Sequence, residues 1–380
     1  MFVNLAALLG VFLLSASVCS AAALPGPVVP DGLGVNIHFT TGHDRDLDMI
    51  QTAGFRFVRM DFVWDAVEEE RGIYDFSAYD ELTNGLAKRG IRALYILDYE
   101  NRLYESDRSV RTEEGRQAFA RFAAAAAARY RGKNVIWELW NEPNGGFWGP
   151  APNADDYMKL AKVVFPAIRK ADPEATCVAP GTSGVDLGFL EACFKQGLLE
   201  LVDAVTVHPY RQSAPETAAD DIYDLRALIA KYDPDRPDLP ILSGEWGYSS
   251  AWNGFDEQRQ GLYLEREFLT NLSRGIPLSI WYDWHDDGQD PEEPEHHFGT
   301  VRFDYTEKPA YLAAKRLIEA LKGTRFAACL SGAPDYVLLF SDGKHKVIAA
   351  WTTGAPHEVE PSPGLKLNLT AQPQYLPMGQ

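Results

Sequence analysis

Two glutamates carry the residue types and surroundings that acid–base and nucleophilic chemistry need. Glu142 lies in the run Trp137-Glu138-Leu139-Trp140-Asn141-Glu142-Pro143-Asn144, and Glu245 in Ser243-Gly244-Glu245-Trp246-Gly247. Cleaving a glycosidic bond takes a pair of carboxyl groups facing each other across a cleft. One is protonated, to donate to the leaving oxygen; the other is ionised, to attack the anomeric carbon. Pro143 has no N–H with which to extend a strand, so Glu142 falls at a strand end, where a cleft would begin. The glycines around Glu245-Trp246 allow close backbone approach. A lone glutamate at a strand end is ordinarily solvated or a cap; two such residues, each near tryptophan, favour a catalytic pair. Glu138 is the contrast. It lies two strand periods before Glu142, so it shares that face and points into the interior, where Arg59 or Arg56 would have to neutralise it.

The elements that must position these residues read as a βα alternation. Strands are expected at 34–38, 55–61, 92–98, 135–141, 176–179, 204–208, 241–245 and 278–282. Helices between them include 76–89, 113–130, 154–170, 218–231 and 257–274, several closed by basic residues and a Gly or Pro turn. Eight such units favour a closed (β/α)8 TIM barrel over an open sheet. No glycine-rich phosphate loop follows the first strand, which removes the main nucleotide-binding alternative.

Reactive groups in a barrel sit at the C-terminal strand ends. Those ends read His38, Arg59 with Asp61, Asp98-Tyr99, Asn141-Glu142, His208-Pro209-Tyr210, Glu245-Trp246 and Trp281 to His285. No His and carboxylate cluster there has metal-ligand spacing, and neither a metal nor another cofactor is expected. Trp64, Tyr99, Tyr104, Trp148, Trp252 and Trp284 fall on βα loops, where aromatic faces could stack on sugar rings or plug the packing. The acidic run Asp286, Asp287, Asp290, Glu292, Glu293 and Glu295 reads as a solvated loop rather than a calcium site.

After a helix at 309–321 the pattern changes to short β-like runs at 336–340, 347–351 and 365–369. We read three parts: a signal peptide at 1–23, a catalytic barrel at 24–323, and a small C-terminal β-rich module at 324–380 packed on it. The apolar stretch from Leu5 to Val18, followed by small residues, is too short to span a bilayer and points to a secreted or periplasmic protein. A net charge of −18 repels phosphate backbones and anionic lipid. Nucleic acid is therefore an unsuitable partner, membrane insertion is not expected, and a neutral glycan suits the balance better than a polyanion. Cys177 and Cys193, on a strand and its following helix, could pair or stay buried as free thiols. A monomer is expected.

At Trp140–Asn144 (WNEPN) and Gly244–Trp246 (GEW) the sequence resembles clan A of the glycoside hydrolases and is most similar to family 39, including its matrix-polysaccharide endoglycosidases. The resemblance extends over nearly the whole chain. It takes in Phe57–Trp64, the HPY at His208–Tyr210, Trp281-Tyr282-Asp283 and Phe298–Tyr311. GEWGYSS is closer to family 5 cellulase wording than to the TEW of family 39 xylosidases. The resemblance implies a retaining double displacement with Glu142 as acid/base and Glu245 as nucleophile. It also implies that Asn141 binds the sugar 2-hydroxyl, that Arg59 and Tyr210 hold Glu245, that His208 lines the same subsite, and that Trp281 is the stacking platform. His38, Asp98, Trp148 and Trp284 complete the substrate-binding set expected of the strand ends and loops. The expected activity is hydrolysis of an oligo- or polysaccharide, endo-acting on β-linkages. The alternatives are an exo-acting β-xylosidase-like enzyme and a non-catalytic sugar-binding barrel.

Overall fold

The computed structural model describes residues 24–378, so the expected signal peptide lies outside the described residues. Eight parallel strands close in sequence order: β1 (Leu33–Asn36), β2 (Phe57–Val63), β3 (Arg92–Asp98), β4 (Ile136–Leu139), β5 (Thr176–Ser183), β6 (Ala204–His208), β7 (Ile241–Trp246) and β8 (Ser279–Trp281), which pairs back onto β1. Around them run α1 (Asp44–Ala53), the single turn α2 (Trp64–Val67), α3 (Ser77–Lys88), α4 (Glu113–Arg129), α5 (Ala154–Ala171), α6 (Leu187–Phe194), α7 (Ala218–Tyr232), α8 (Glu257–Ser273) and α9 (Pro309–Leu321). The expected (β/α)8 barrel is therefore what forms. Helix starts follow capping chemistry: Thr112, Asn153, Asp186 and Asp256 each accept an N–H from the first turn of the helix they precede.

The barrel interior explains how polar residues reach the cleft. Its floor is an apolar cluster that includes Phe57, Leu94, Ile96, Ile136, Ala204, Leu242 and Ile280. Side chains alternate along a strand, so steps of two lead upward from that floor. They run from Phe57 to Arg59 and Asp61, from Ile96 to Asp98, from Ile136 to Glu138, and from Ala204 to Thr206 and His208. The opposite parity packs under the helices, as Tyr95, Leu97, Trp137 and Val205 do.

Beyond α9 the chain forms β9 (Arg325–Ser331), β10 (Asp335–Ser341), β11 (Lys346–Thr352), β12 (His357–Ser362), β13 (Leu365–Leu369) and β14 (Gln374–Met378). An antiparallel sheet of order β14-β11-β10-β9 is accompanied by the β12-β13 hairpin. This sheet is bonded to the barrel through buried charge. Trp351 Nε1 donates to Glu216 Oε1 at 2.6 Å, and Arg266 grips the same carboxylate with bonds of 2.6 and 2.8 Å. Glu265 accepts from Arg316, Gln372 and Tyr375. The two ends of the barrel segment are also joined, since Val29 N–H donates to Thr324 O at 2.9 Å and Gly323 N–H to Val29 O at 2.8 Å. Cys177 and Cys193 are buried free thiols.

Candidate active site

The site is built around one guanidinium. Arg59 on β2 is 1% exposed, and each of its five N–H groups has an acceptor. Nε donates to Glu138 Oε2 at 2.8 Å, Nη1 to Glu245 Oε2 at 2.5 Å and Asn36 Oδ1 at 3.4 Å, and Nη2 to Asn141 Oδ1 at 2.9 Å and His208 Nε2 at 3.2 Å. Glu138 is thus the buried structural carboxylate read from the sequence, with Arg59 as its cation. Tyr210 OH donates to the other oxygen of Glu245 at 2.8 Å. Burial and the adjacent Glu245 push the Tyr210 hydroxyl well above its ordinary pKa, so it stays a donor.

His208 links the two glutamates. Arg59 can only donate, so His208 Nε2 accepts and the ring proton sits on Nδ1, which donates to Glu142 Oε1 at 3.0 Å. Burial pushes the Glu142 carboxyl up, but the hydrogen bond from His208 and the positive charge of Arg59 outweigh it and hold Glu142 below its ordinary value. A carboxylate oxygen of Glu142, one of Glu245 and a ring nitrogen of His208 all lie within 4.8 Å of one another.

Backbone geometry aims Glu142. β4 stops at Leu139 rather than at Asn141, and Trp140 and Glu142 take left-handed φ of 69° and 46°. Such angles are unfavourable for residues with a Cβ and are held here by a bond from Glu142 N–H to Gly181 O at 2.9 Å. Gly181 has φ +62°, and a Cβ there would come within 2.8 Å of Glu138 Oε1. On β7 the expected close approach occurs at Gly247, whose hypothetical Cβ would lie 1.7 Å from Tyr282 O.

The cleft, about 480 Å³, is lined by His38, Arg59, Asn141, Glu142, Tyr210 and Glu245 among the residues expected from the sequence. His208 lies directly behind them, fully buried. Four further expected substrate contacts are, like His208, not in the lining. Trp281 is fully buried because it has the outward parity of β8: Ile280 faces the barrel floor, while the Trp281 ring packs near Tyr248. Its neighbour Tyr282 lines the cleft instead. Trp148 packs edge-on to Trp140, and Trp284 donates its indole N–H to Asp46 Oδ1 at 2.8 Å. Asp98 has the inward parity but lies fully buried behind Asp61, and burial together with the charge of Asp61 pushes its carboxyl well above the ordinary range. Of the loop aromatics, Tyr99 and Trp252 reach the cleft, whereas Trp64 is buried under Tyr104.

Asn36, Phe147, Ser183, Tyr282, Glu295 and Phe298 also line the cleft, though the sequence does not mark them as substrate contacts. Asn36 was within reach of the sequence, being one strand period before His38. The acidic loop is not simply solvated, because Asp286 is buried against Lys308 Nζ at 2.9 Å. Asp287 accepts from His38 Nδ1 at 3.0 Å, and Asp283 lies 3.7 Å from the same nitrogen. Burial opposes a charge on His38, but these two aspartates raise its pKa to about 9. His38, Asp283 and Asp287 are close enough to share a cation, yet Nδ1 carries the proton given to Asp287. A metal would have to displace that proton.

A (β/α)8 barrel with two glutamates converging from the ends of its fourth and seventh strands is the framework of a clan A glycoside hydrolase. Comparison with known proteins agrees. Residues 31–288 match the family described as cellulase (glycosyl hydrolase family 5), and the chain belongs to it. The endoglucanase CelA of Streptomyces lividans is 32% identical over 194 residues, 49% of this chain and 37% of that protein. A beta-xylosidase of Caldicellulosiruptor saccharolyticus is 25% identical over 239 residues, 56% of this chain and 47% of that protein. The matches thus span less than half the length of these two relatives. Among solved structures, a family 39 glycoside hydrolase from Bacteroides cellulosilyticus WH2 superposes with a TM-score of 0.81 at 27% identity, covering 91% of this chain and 80% of that one. A family 39 beta-xylosidase from Caulobacter crescentus shares the fold, with a TM-score of 0.68 at 22% identity over 89% of this chain and 81% of that one. The resemblance to clan A and to family 39 is borne out.

Proposed function

We propose that the protein is a secreted, retaining glycosidase that cleaves β-glycosidic bonds within a polysaccharide. The observation that carries this reading is the approach of Glu142 and Glu245, with carboxylate oxygens within 4.8 Å. Retaining enzymes hold their carboxyl groups about 5–5.5 Å apart, whereas inverting ones leave about 6.5–9.5 Å for a water. In the first step Glu245, kept ionised by Arg59 and oriented by Tyr210, attacks the anomeric carbon. Glu142 protonates the departing oxygen, and a glycosyl ester forms on Glu245. In the second step Glu142 takes a proton from water, which attacks the same carbon and frees Glu245. Asn141, oriented by Arg59, is placed to hold the 2-hydroxyl of the reacting sugar.

Secretion is supported by the apolar stretch from Leu5 to Val18 and the small residues after it. Endo action is supported by the similarity to the endoglucanase CelA of Streptomyces lividans. The second reading, exo cleavage of short β-xylosides, is favoured by the beta-xylosidase relative. Sizing the products from a panel of purified polysaccharides separates the two, since release of monosaccharide alone from chain ends would establish exo action. Glu142→Gln and Glu245→Gln should each lower turnover by several orders of magnitude. A 2-fluoroglycoside should label Glu245 covalently. Full activity in either variant would remove this mechanism, whereas absence of both label and turnover in the unaltered protein would leave only a sugar-binding barrel.

A further inference from the structure

A retaining glycosidase needs two carboxyl groups in its cleft; this one has four. Asp61 and Glu295 line the same cavity as Glu142 and Glu245. Asp61 stands at the inward top of β2, backed by the fully buried Asp98. Glu295 is carried over the cleft by the turn Pro294–His297 on the loop after β8, and burial with the charges of Glu245, Glu293 and Asp287 pushes its carboxyl up. Its carboxylate has no hydrogen-bond donor among the described residues.

The cations of the cleft are already engaged. Among the described residues only Arg59 and His38 line it as cations, and all five N–H groups of Arg59 are spent on protein acceptors. His38 is paired with Asp287 and Asp283 on one side and contacts Asn36 on the other. A carboxylate or sulfate brought in on a sugar would meet four acids and no free donor of positive charge. Glu295 is exposed and Asp61 half-buried, so such like-charge contacts act strongly at low ionic strength and weaken as salt screens them. Hydroxyl groups meet the opposite situation, since Asp61 and Glu295 are ready acceptors for O–H donors.

We propose that Asp61 and Glu295 are specificity-determining residues that exclude anionic sugars, so that the cleft takes a polysaccharide of uncharged residues rather than one built of uronates or sulfated sugars. This rests on the glycosidase reading above. The two are tested separately by derivatising one neutral polysaccharide that the enzyme cleaves with carboxymethyl groups, or with hydroxyethyl groups of similar size, to the same degree. If the enzyme cleaves no polysaccharide, the glycosidase reading fails. If it does, the hydroxyethyl form should be cut at least about tenfold faster than the carboxymethyl form at low ionic strength, and added salt should narrow that ratio. Glu295→Gln and Asp61→Asn should each narrow it as well, and Glu295→Gln alters an exposed side chain while leaving the backbone bonds of its turn in place. Equal rates on the two derivatives in the unaltered enzyme would overturn the proposal. So would a ratio that neither substitution changes, because the discrimination would then come from the reacting pair alone.

Discussion

His208 gives its Nδ1 proton to Glu142 Oε1 across 3.0 Å, and it has no alternative, because its Nε2 faces a guanidinium that cannot accept. One oxygen of Glu142 is thereby committed as an acceptor. The other is left to hold the proton destined for the leaving group.

The first prediction concerns that bond. His208 favours the ionised form of Glu142, so His208→Ala should raise the Glu142 pKa. The acid must be protonated to work, so kcat/KM falls as pH rises through that pKa, and the falling limb should move to higher pH in the variant. Misaligned proton delivery should also lower kcat by about 10²-fold on substrates with poor leaving groups, and much less on a dinitrophenyl glycoside. A pH–rate profile on both substrate types reads both effects. An unmoved limb would show that His208 does not govern Glu142.

Gly247→Ala tests the contact between β7 and the end of β8. The added methyl would meet the main-chain carbonyl of Tyr282, which has no side-chain freedom with which to retreat. We expect a stability loss of about 1–3 kcal/mol or more and weakened sugar binding, because the displaced residue carries a cleft-lining ring. Thermal unfolding and KM, measured together, check this.

Glu267 on α8 is fully buried, and neither carboxylate oxygen has a hydrogen-bond partner. Burial pushes its pKa well above the ordinary 4.5, with only partial relief from Arg211. The folded protein therefore keeps a proton that the unfolded chain releases above about pH 4.5, and stability declines as pH rises from there toward the folded pKa. Glu267→Met should flatten that decline and stabilise the protein at pH 7 by about 1–3 kcal/mol. Urea unfolding at pH 5 and pH 8 measures it, and an unchanged pH slope would contradict the assignment.

The junction between barrel and C-terminal sheet depends on Glu216. Glu216→Ala strips the partner from a buried guanidinium, Arg266, and from the Trp351 indole, and should cost about 3–5 kcal/mol. The exposed pair Arg71–Glu114 is the control, and Glu114→Ala there should cost no more than about 1 kcal/mol. Denaturant titration of the two variants compares them directly.

Much of the site was legible because it follows a period of two. Arg59, Glu138 and His208 are each reached from the apolar floor in even steps along one strand, and the strand ends could be read from turn residues. The same rule would have placed Trp281 outward, one step from Ile280, and the role implied by family resemblance was set against it. The end of β4 was misjudged because left-handed backbone at Trp140 leaves no trace in an otherwise apolar run. Glu295 and Phe298 lie on a loop whose path is set by contacts such as Asp286 with Lys308, which no local pattern encodes. In the C-terminal sheet β10, β11 and β13 carry apolar signatures. β9, β12 and β14 are edge or hairpin strands with exposed or mixed side chains, and their sequences look like loop.

Val29, joined on both sides of its peptide to residues 323 and 324, ties the leading edge of the folded chain to the hinge between α9 and β9. Removal of the proposed signal peptide at 1–23 would leave these two bonds whole. Trimming through Val29 would remove this pair of bonds and leave the C-terminal sheet held by Glu216 and Glu265, with every catalytic atom in place.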